Sequence, residues 1–191
     1  PDNPVIHMRS FGSDKHNVTK KGIAYFKGMQ SKGVIGVAKH FPGHGDTDKD
    51  SHKDLPIIKH DINRLAQTEL HPFREAIPRG VQGIMIAHLS IPALNTSYRQ
   101  PSTLSKNVTT KLLQEQLKFK GLVFTDALNM QGVLKYHQPG EIEVLSLIAG
   151  NDVLLYPTNI PKAVVSIKNA IADGTLSKDQ IFEKARKIIY F

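Results

Sequence analysis

The part of the sequence that decides the fold is the stretch V-I-G-V-A-K-H-F-P-G-H-G-D-T-D-K-D-S-H-K-D-L-P, residues 34–56. Its first five residues, 34–38, are all apolar or glycine, which predicts a short buried strand. The chain becomes polar at Lys39 and His40, where this strand should end. Proline and glycine residues follow directly, and they break regular structure and allow a tight turn. The stretch therefore predicts a buried strand that leads into a rigid polar turn.

The second half of this stretch is dense in side chains that can transfer protons or bind a polar ligand. These side chains are His44, Asp46, Asp48, Asp50 and His52. A solvated loop explains any one of them alone, because loops are polar by default. The Lys-His pair at the strand end, the Pro-Gly turn and the Asp50-x-His52 pair together indicate a preorganised site on a scaffold.

Four short apolar runs punctuate the chain and predict the sheet. They cover residues 34–38, 83–89, 121–125 and 152–156. Because the runs are continuously apolar and do not alternate, both faces of each strand should be buried, as in a parallel sheet covered by helices. The remaining segments predict helices over residues 14–32, 62–79, 105–118, 130–137, 140–149, 161–172 and 177–190. This α/β order fits either an open doubly wound sheet or a (β/α)8 barrel.

Polar side chains stand at the carboxyl ends of three of these runs: Lys39 and His40, then His88, then Asp126. Both architectures place functional groups at those ends. His88 could line a pocket there or complete the core, and we expect it to line the pocket. Asp126 could equally act as the N-cap of a following helix.

Composition excludes several classes of function. The chain has 191 residues, enough for one domain with a sizeable core, and no cysteine. Its formal charge is +8, but Lys and Arg are spread along the chain without interleaved aromatic residues, so nucleic-acid binding is not expected. No apolar run reaches the roughly 20 residues of a membrane span. Neither a metal-ligand spacing nor a phosphate-binding glycine loop is present, so no metal and no cofactor are expected.

The motifs K-H-F-P-G-H-G at residues 39–45 and D-S-H at residues 50–52 resemble glycoside hydrolase family 3, in its β-N-acetylhexosaminidase branch. R-S-F-G at residues 9–12 and G-L-V-F-T-D-A-L at residues 121–128 extend the resemblance over the chain. It implies a (β/α)8 TIM-barrel type. Since only about four parallel strands are predicted where a barrel needs eight, residues 1–191 should form the later part of a catalytic domain, an incomplete barrel. Its open sheet edges would be covered by the missing N-terminal strand-helix units or by a second copy.

The resemblance also implies a reaction, in which a carboxylate attacks the anomeric carbon of a sugar and forms a covalent intermediate. It implies that Asp126 is the nucleophile. His52, oriented by Asp50, would protonate the departing oxygen and then deprotonate water, which suits an imidazole that titrates near neutral pH. Sugar contacts are implied for Arg9, Lys39 and His40.

The resulting expectation is a retaining exo-β-N-acetylglucosaminidase that removes terminal β-linked GlcNAc from glycans or cell-wall fragments. Two alternatives stay open: a GlcNAc phosphorylase, and a non-catalytic glycan-binding fragment. The sequence leaves the compartment open between bacterial cytoplasm and cell envelope, and residues 1–6 show no signal-peptide pattern.

Overall fold

A computed structural model of the chain describes residues 6, 9–47, 55–94 and 100–191. Its centre is a parallel sheet of three strands in the order β1 (Val37–Phe41), β2 (Gly83–Ile86) and β3 (Leu122–Thr125). Gly83 of β2 is in register with Val37 of β1 and Leu122 of β3. Because neighbouring strands follow chain order and run parallel, their carboxyl ends meet at one edge of the sheet.

Helices connect and cover the strands. The α-helices are α1 (Lys15–Gln30), α2 (Ile62–Arg64), α3 (His71–Ala76), α4 (Gln131–Leu134), α5 (Glu141–Ala149), α6 (Ile160–Ala172) and α7 (Lys178–Tyr190). A π-helical turn over Leu65–Glu69 joins α2 to α3, and a 3-10 turn over Ile77–Arg79 follows α3. Asn107–Gln116 forms a π-helix, and Ser102–Leu104 forms a 3-10 turn. No helix of the described ranges is long and apolar enough to cross a membrane.

The first helix shows how local sequence sets the fold. Asp14 caps α1, because its Oδ1 accepts a hydrogen bond of 2.8 Å from the amide of Asn17. At the other end, the chain returns toward β1 through Gly36, where a Cβ atom would lie 2.7 Å from Cβ of Phe26. Glycine at that position therefore lets the backbone pack directly against the buried face of α1.

The main core fills the space between the sheet and these helices. It contains fully buried side chains from every strand, among them Phe41, Ile84 and Val123. Helix residues Val108 and Leu113 close it from one side. Burying each such side chain contributes about 1.5–3 kcal/mol, so this core holds the strand ends in place.

Two strand predictions need correction. The first strand was expected over residues 34–38 but lies at Val37–Phe41, so Lys39 and His40 belong to the strand itself. The fourth predicted strand, residues 152–156, contributes only a single parallel bridge, between Val153 and Phe124.

The reason for the missing fourth strand is visible in the hydrogen bonds along β3. The amides of Asp152 and Val153 both donate to the carbonyl of Val123, at 2.8 and 3.0 Å. The amide of Leu155 donates to the side-chain Oγ1 of Thr125 at 2.9 Å, where a regular ladder would use a carbonyl. The segment therefore runs beside β3 without forming a regular strand. Coverage of the sheet edges by further strand-helix units or by a second copy stays a prediction.

Candidate active site

A cavity of about 190 Å³ opens at the carboxyl edge of the sheet. Four residues to which the sequence analysis gave a catalytic or sugar-binding role line it: Arg9, Lys39, His40 and Asp126. The other residues of its wall are His44, Met85, Ala127, Met130, Leu155 and Tyr156. Three motifs that are far apart in the sequence therefore converge on one hollow.

Asp126 follows β3 and is held at two points. Its amide donates a 2.9 Å hydrogen bond to the carbonyl of Ile86, and its Oδ1 accepts one of 2.9 Å from the amide of Ala127. Its Oδ2 lies 3.8 Å from Nε2 of His40. The helix-cap alternative does not apply, because α4 begins after Met130. One carboxylate oxygen is thus fixed by the backbone, and the other stands beside His40 at the cavity.

His40 is the neutral neighbour of this carboxylate. Burial lowers the pKa of His40 to about 4 with smaller help from the nearby His44 and Lys39, although Asp126 acts to raise it. At neutral pH the imidazole is therefore uncharged, and its contact with Asp126 is not an ion pair. The peptide bonds Lys39–His40 and Phe41–Pro42 are both cis.

Two cationic side chains, Arg9 and Lys39, supply the positive charge of the cavity. Both residues are exposed, and the amide of Arg9 donates to the carbonyl of Ile6 at 2.6 Å. A guanidinium and an ammonium offer several N–H donors, which suit hydroxyl and carbonyl oxygens of a polar ligand.

His88 does not line the cavity, so the expectation that it lines the pocket is wrong. Its side chain is fully buried. Its Nε2 lies 3.0 Å from the carbonyl oxygen of Ala127, and its Nδ1 lies 2.7 Å from Oγ1 of Thr103. Both ring nitrogens are therefore engaged by protein atoms directly behind Asp126, and this is the core alternative that the sequence also allowed.

The predicted acid/base pair, Asp50 and His52, falls in residues 48–54, outside the described residues, so these two assignments stay predictions. Directly before this segment, His44 is buried and its Nδ1 lies 3.0 Å from Oγ1 of Thr47. His44 therefore holds the turn together from inside while it also touches the cavity.

A cluster that sequence reasoning missed fixes the outer side of this turn. Asp46, His60 and Glu69 bring one ligand-type atom each within 4.8 Å of one another, a set that could hold a metal ion. A cation of the protein already stands there, however. The NH2 nitrogen of Arg64 lies 3.1 Å from Oε1 of Glu69 and 3.5 Å from Oδ2 of Asp46. We therefore interpret the cluster as an ion-pair network and assign it no metal.

The same network packs closely against the turn. His60 Nε2 lies 2.5 Å from Oδ2 of Asp46, and a Cβ on Gly43 would lie 2.7 Å from Cβ of Glu69. Gly43 has a φ of +139°, so glycine is required there for two reasons. The acidic and basic residues spaced over residues 60–69 were the only sequence signal from which this ion-pair network could have been predicted.

Comparison with known proteins assigns the class. The model of the "Glycosyl hydrolase family 3 N terminal domain" matches residues 1–191, and the chain belongs to that family. Beta-hexosaminidase A of Pseudoalteromonas piscicida is 35% identical over 98% of this chain and 35% of its own length.

Solved structures agree. A glycoside hydrolase family 3 β-N-acetylglucosaminidase from Paenibacillus sp. FPU-7 superposes with a TM-score of 0.95 at 39% identity, covering 98% of this chain and 36% of that one. The beta-glucoside phosphorylase BglX superposes with a TM-score of 0.92 at 25% identity, covering 97% and 35%. The chain thus spans about a third of these relatives. The likeness confirms the (β/α)8-barrel type, present here as an incomplete barrel.

Proposed function

We propose that this chain forms part of the catalytic domain of a retaining exo-β-N-acetylglucosaminidase. The observation that carries the proposal is the convergence of Arg9, Lys39, His40 and Asp126 on one cavity at the strand ends. The relatives named β-hexosaminidase and β-N-acetylglucosaminidase support the choice of GlcNAc as the sugar.

The first chemical step uses the carboxylate of Asp126. Its Oδ2 attacks the anomeric carbon, and the bond from that carbon to the aglycone oxygen breaks. The departing oxygen takes a proton from the imidazolium of His52, whose ring Asp50 orients. The product of this step is a glycosyl ester on Asp126.

The second step returns the enzyme to its starting state. The now neutral imidazole of His52 takes a proton from water, and the water oxygen attacks the anomeric carbon. The ester bond breaks, Asp126 regains its charge, and GlcNAc leaves with its original configuration. The neutral state of His40 supports this cycle, because an imidazolium beside Asp126 would weaken the nucleophile.

The exposed Tyr156 in the cavity wall supports exo action on a terminal sugar. Tyr156 stands in its wall with 72% of its surface exposed, and its φ of +49° is unusual for a residue other than glycine. An exposed aromatic ring at the rim is suited to contact the part of the substrate outside the cavity, which in an exo enzyme is the aglycone.

The test is hydrolysis of an aryl β-GlcNAc by the full-length protein, monitored by the release of the aryl alcohol. We expect the protein to hydrolyse the aryl β-GlcNAc in preference to the corresponding aryl β-glucoside. A folded wild-type protein that releases nothing from the GlcNAc substrate refutes the proposal.

A GlcNAc phosphorylase is the second candidate, favoured by the likeness to the beta-glucoside phosphorylase BglX. The cations of Arg9 and Lys39 in the cavity would also suit a phosphate that replaces water. Adding inorganic phosphate to the assay separates the two: accumulation of GlcNAc 1-phosphate identifies the phosphorylase, and free GlcNAc at an unchanged rate identifies the hydrolase.

A further inference from the structure

We propose that His88 is a positioning residue, which holds the nucleophile Asp126 in its reactive orientation through the backbone of Ala127. This inference rests on the proposed function and adds a residue to its machinery. His88 acts from behind the site and does not touch the substrate, since its side chain is fully buried.

The hydrogen bonds of His88 define its protonation state. Its Nε2 is 3.0 Å from the carbonyl oxygen of Ala127, which can only accept, so Nε2 carries a proton. Burial lowers the pKa of His88, and a neutral imidazole has no second proton. Nδ1 therefore accepts from the hydroxyl of Thr103 at 2.7 Å.

The surrounding hydroxyl groups are consistent with this arrangement. Oγ1 of Thr103 also lies 2.7 Å from the carbonyl oxygen of Ala87, but it has one proton to give. That carbonyl already accepts from the hydroxyl of Ser102 at 2.6 Å. Because Ser102 already supplies a donor to that carbonyl, and Nδ1 of a neutral ring protonated at Nε2 can only accept, we assign the Thr103 proton to His88, so the ring is held at both nitrogens.

Ala127 links this ring to the nucleophile. Its carbonyl accepts from His88, and its amide donates to Oδ1 of Asp126 at 2.9 Å. The amide of Asp126 in turn donates to the carbonyl of Ile86 at 2.9 Å. Two residues at or just after the end of β2 therefore hold the Asp126–Ala127 segment by hydrogen bonds. Ile86 does so through its backbone carbonyl, and His88 through its ring.

These two hydrogen bonds have a kinetic consequence. Fixing Oδ1 leaves Oδ2 as the oxygen beside His40, at 3.8 Å. The amide of Met130 also donates to the carbonyl of Ala127, at 3.1 Å, so without His88 only this local turn bond remains, and the Ala127 amide and the carboxylate that it holds can shift. A misplacement of about 1 Å at a reacting group lowers rates by about 100-fold, so His88 should affect the chemical step far more than sugar binding.

The experiment compares His88→Phe with His88→Gln in the full-length protein. Phe fills the space but donates nothing, whereas the Gln amide can still donate to the Ala127 carbonyl. For the folded fraction we would measure kcat, the inhibition constant of free GlcNAc, and the rate of covalent labelling by a slow fluoro-sugar substrate. We expect His88→Phe to lower kcat and labelling by about 100-fold with GlcNAc binding within about 3-fold, and His88→Gln to recover much of the loss.

Controls separate positioning from general damage to the core. Val108→Ala removes buried core volume from the helix Asn107–Gln116 and should lower the Tm with little change in kcat of the folded fraction. If His88→Phe does not fold, Thr103→Val removes only the hydroxyl behind the ring and should lower kcat by about 10-fold, while Thr103→Ser should retain activity.

Three outcomes would overturn the inference. A His88→Phe or Thr103→Val protein with wild-type kcat and a lower Tm shows a purely structural residue. A loss of GlcNAc binding as large as the loss of kcat shows a binding role. A wild-type protein that neither hydrolyses the substrate nor becomes labelled refutes the proposed function, and the positioning role with it. Only this outcome involves the wild type, so the two failures can be told apart.

Discussion

Two aspartates, Asp126 and Asp152, adjoin the same strand and show how surroundings separate a reactive carboxylate from a structural one. Asp152 lies beside the body of β3, and its side chain is only 4% exposed. Its Oδ2 accepts from the amide of Val123 at 2.9 Å and from Nζ of Lys187 at 2.6 Å, and Nζ of Lys184 stands 3.8 Å from Oδ1. Its charge is therefore fully compensated by the protein.

Asp126 has a different set of neighbours. One oxygen binds a backbone amide, while the other stands beside an imidazole that is neutral at pH 7. Among the described residues no ammonium or guanidinium forms an ion pair with Asp126, although Arg9 and Lys39 line the same cavity, so its carboxylate keeps its nucleophilicity. The comparison teaches that the charge state of the neighbour, more than burial, distinguishes the two aspartates.

The largest effect should come from exchanging the nucleophile. Asp126→Asn is expected to lower kcat by about four to six powers of ten, because an amide cannot form the glycosyl ester. Steady-state assays of the purified protein with an aryl β-GlcNAc check this. Asp179→Asn, on the exposed start of α7, is the matched control and should keep wild-type activity. Activity within 10-fold of wild type in Asp126→Asn would place the nucleophile elsewhere.

The same substitution at the other aspartate should change stability and not chemistry. Asp152→Asn leaves the ammonium groups of Lys184 and Lys187 without their counter-charge, which should cost about 2 kcal/mol, since these lysines are partly exposed. Urea unfolding measures the loss. The kcat of the folded fraction should stay within about 3-fold. A stable but inactive Asp152→Asn protein would contradict the division of roles.

The pH dependence tests the neutral state of His40. Its folded-state pKa of about 4 lies below the ordinary 6.5, so the unfolded chain binds more protons between these values. Stability is therefore complete above about pH 6.5 and falls as the pH drops toward 4, by about 1–2 kcal/mol at pH 5 from this residue. His40→Gln should flatten this slope in urea titrations at pH 7 and pH 5. The lowered pKa of buried His88 contributes in the same direction and should remain in the variant. An unchanged slope in His40→Gln would show that folding does not lower the pKa of His40.

The smallest effect should appear at the rim. Tyr156→Ala is expected to raise the KM for a GlcNAc disaccharide by about 5-fold, because an exposed aromatic contact contributes about 1 kcal/mol. Inhibition by free GlcNAc should not change, and Tyr156→Phe should restore the KM. An equal loss of affinity for the monosaccharide would place the ring against the terminal sugar and not the aglycone.

The sequence predicted a large part of this site because its chemistry lies in short contiguous motifs. Apolar runs that end in Lys39, His40 and Asp126 indicated both the strands and the edge where these side chains meet. His88 followed the same pattern, yet its ring turns into the core, and no local signal shows on which side of a strand end a side chain will lie. The pattern therefore identified the edge correctly but not the direction of every residue.

Features that depend on distant partners were not predictable in this way. The fourth apolar run failed to form a regular strand because Thr125 supplies a side-chain acceptor to Leu155, a contact across 30 positions of the sequence. The ion-pair network around Asp46 depends on Arg64 and Glu69, which lie in the following helical segment. Tyr156 joined the cavity wall only through the course of residues 152–156 beside β3.

The most direct test of the account is to trap the covalent intermediate with a slow fluoro-sugar analogue of a β-GlcNAc substrate. Intact-mass measurement should show one added sugar per chain, and peptide mapping should place it on Asp126, with none on Asp152 and none in Asp126→Asn. An adduct on another residue, or steady turnover of β-GlcNAc substrates by Asp126→Asn, would contradict the assignment of Asp126 as the nucleophile.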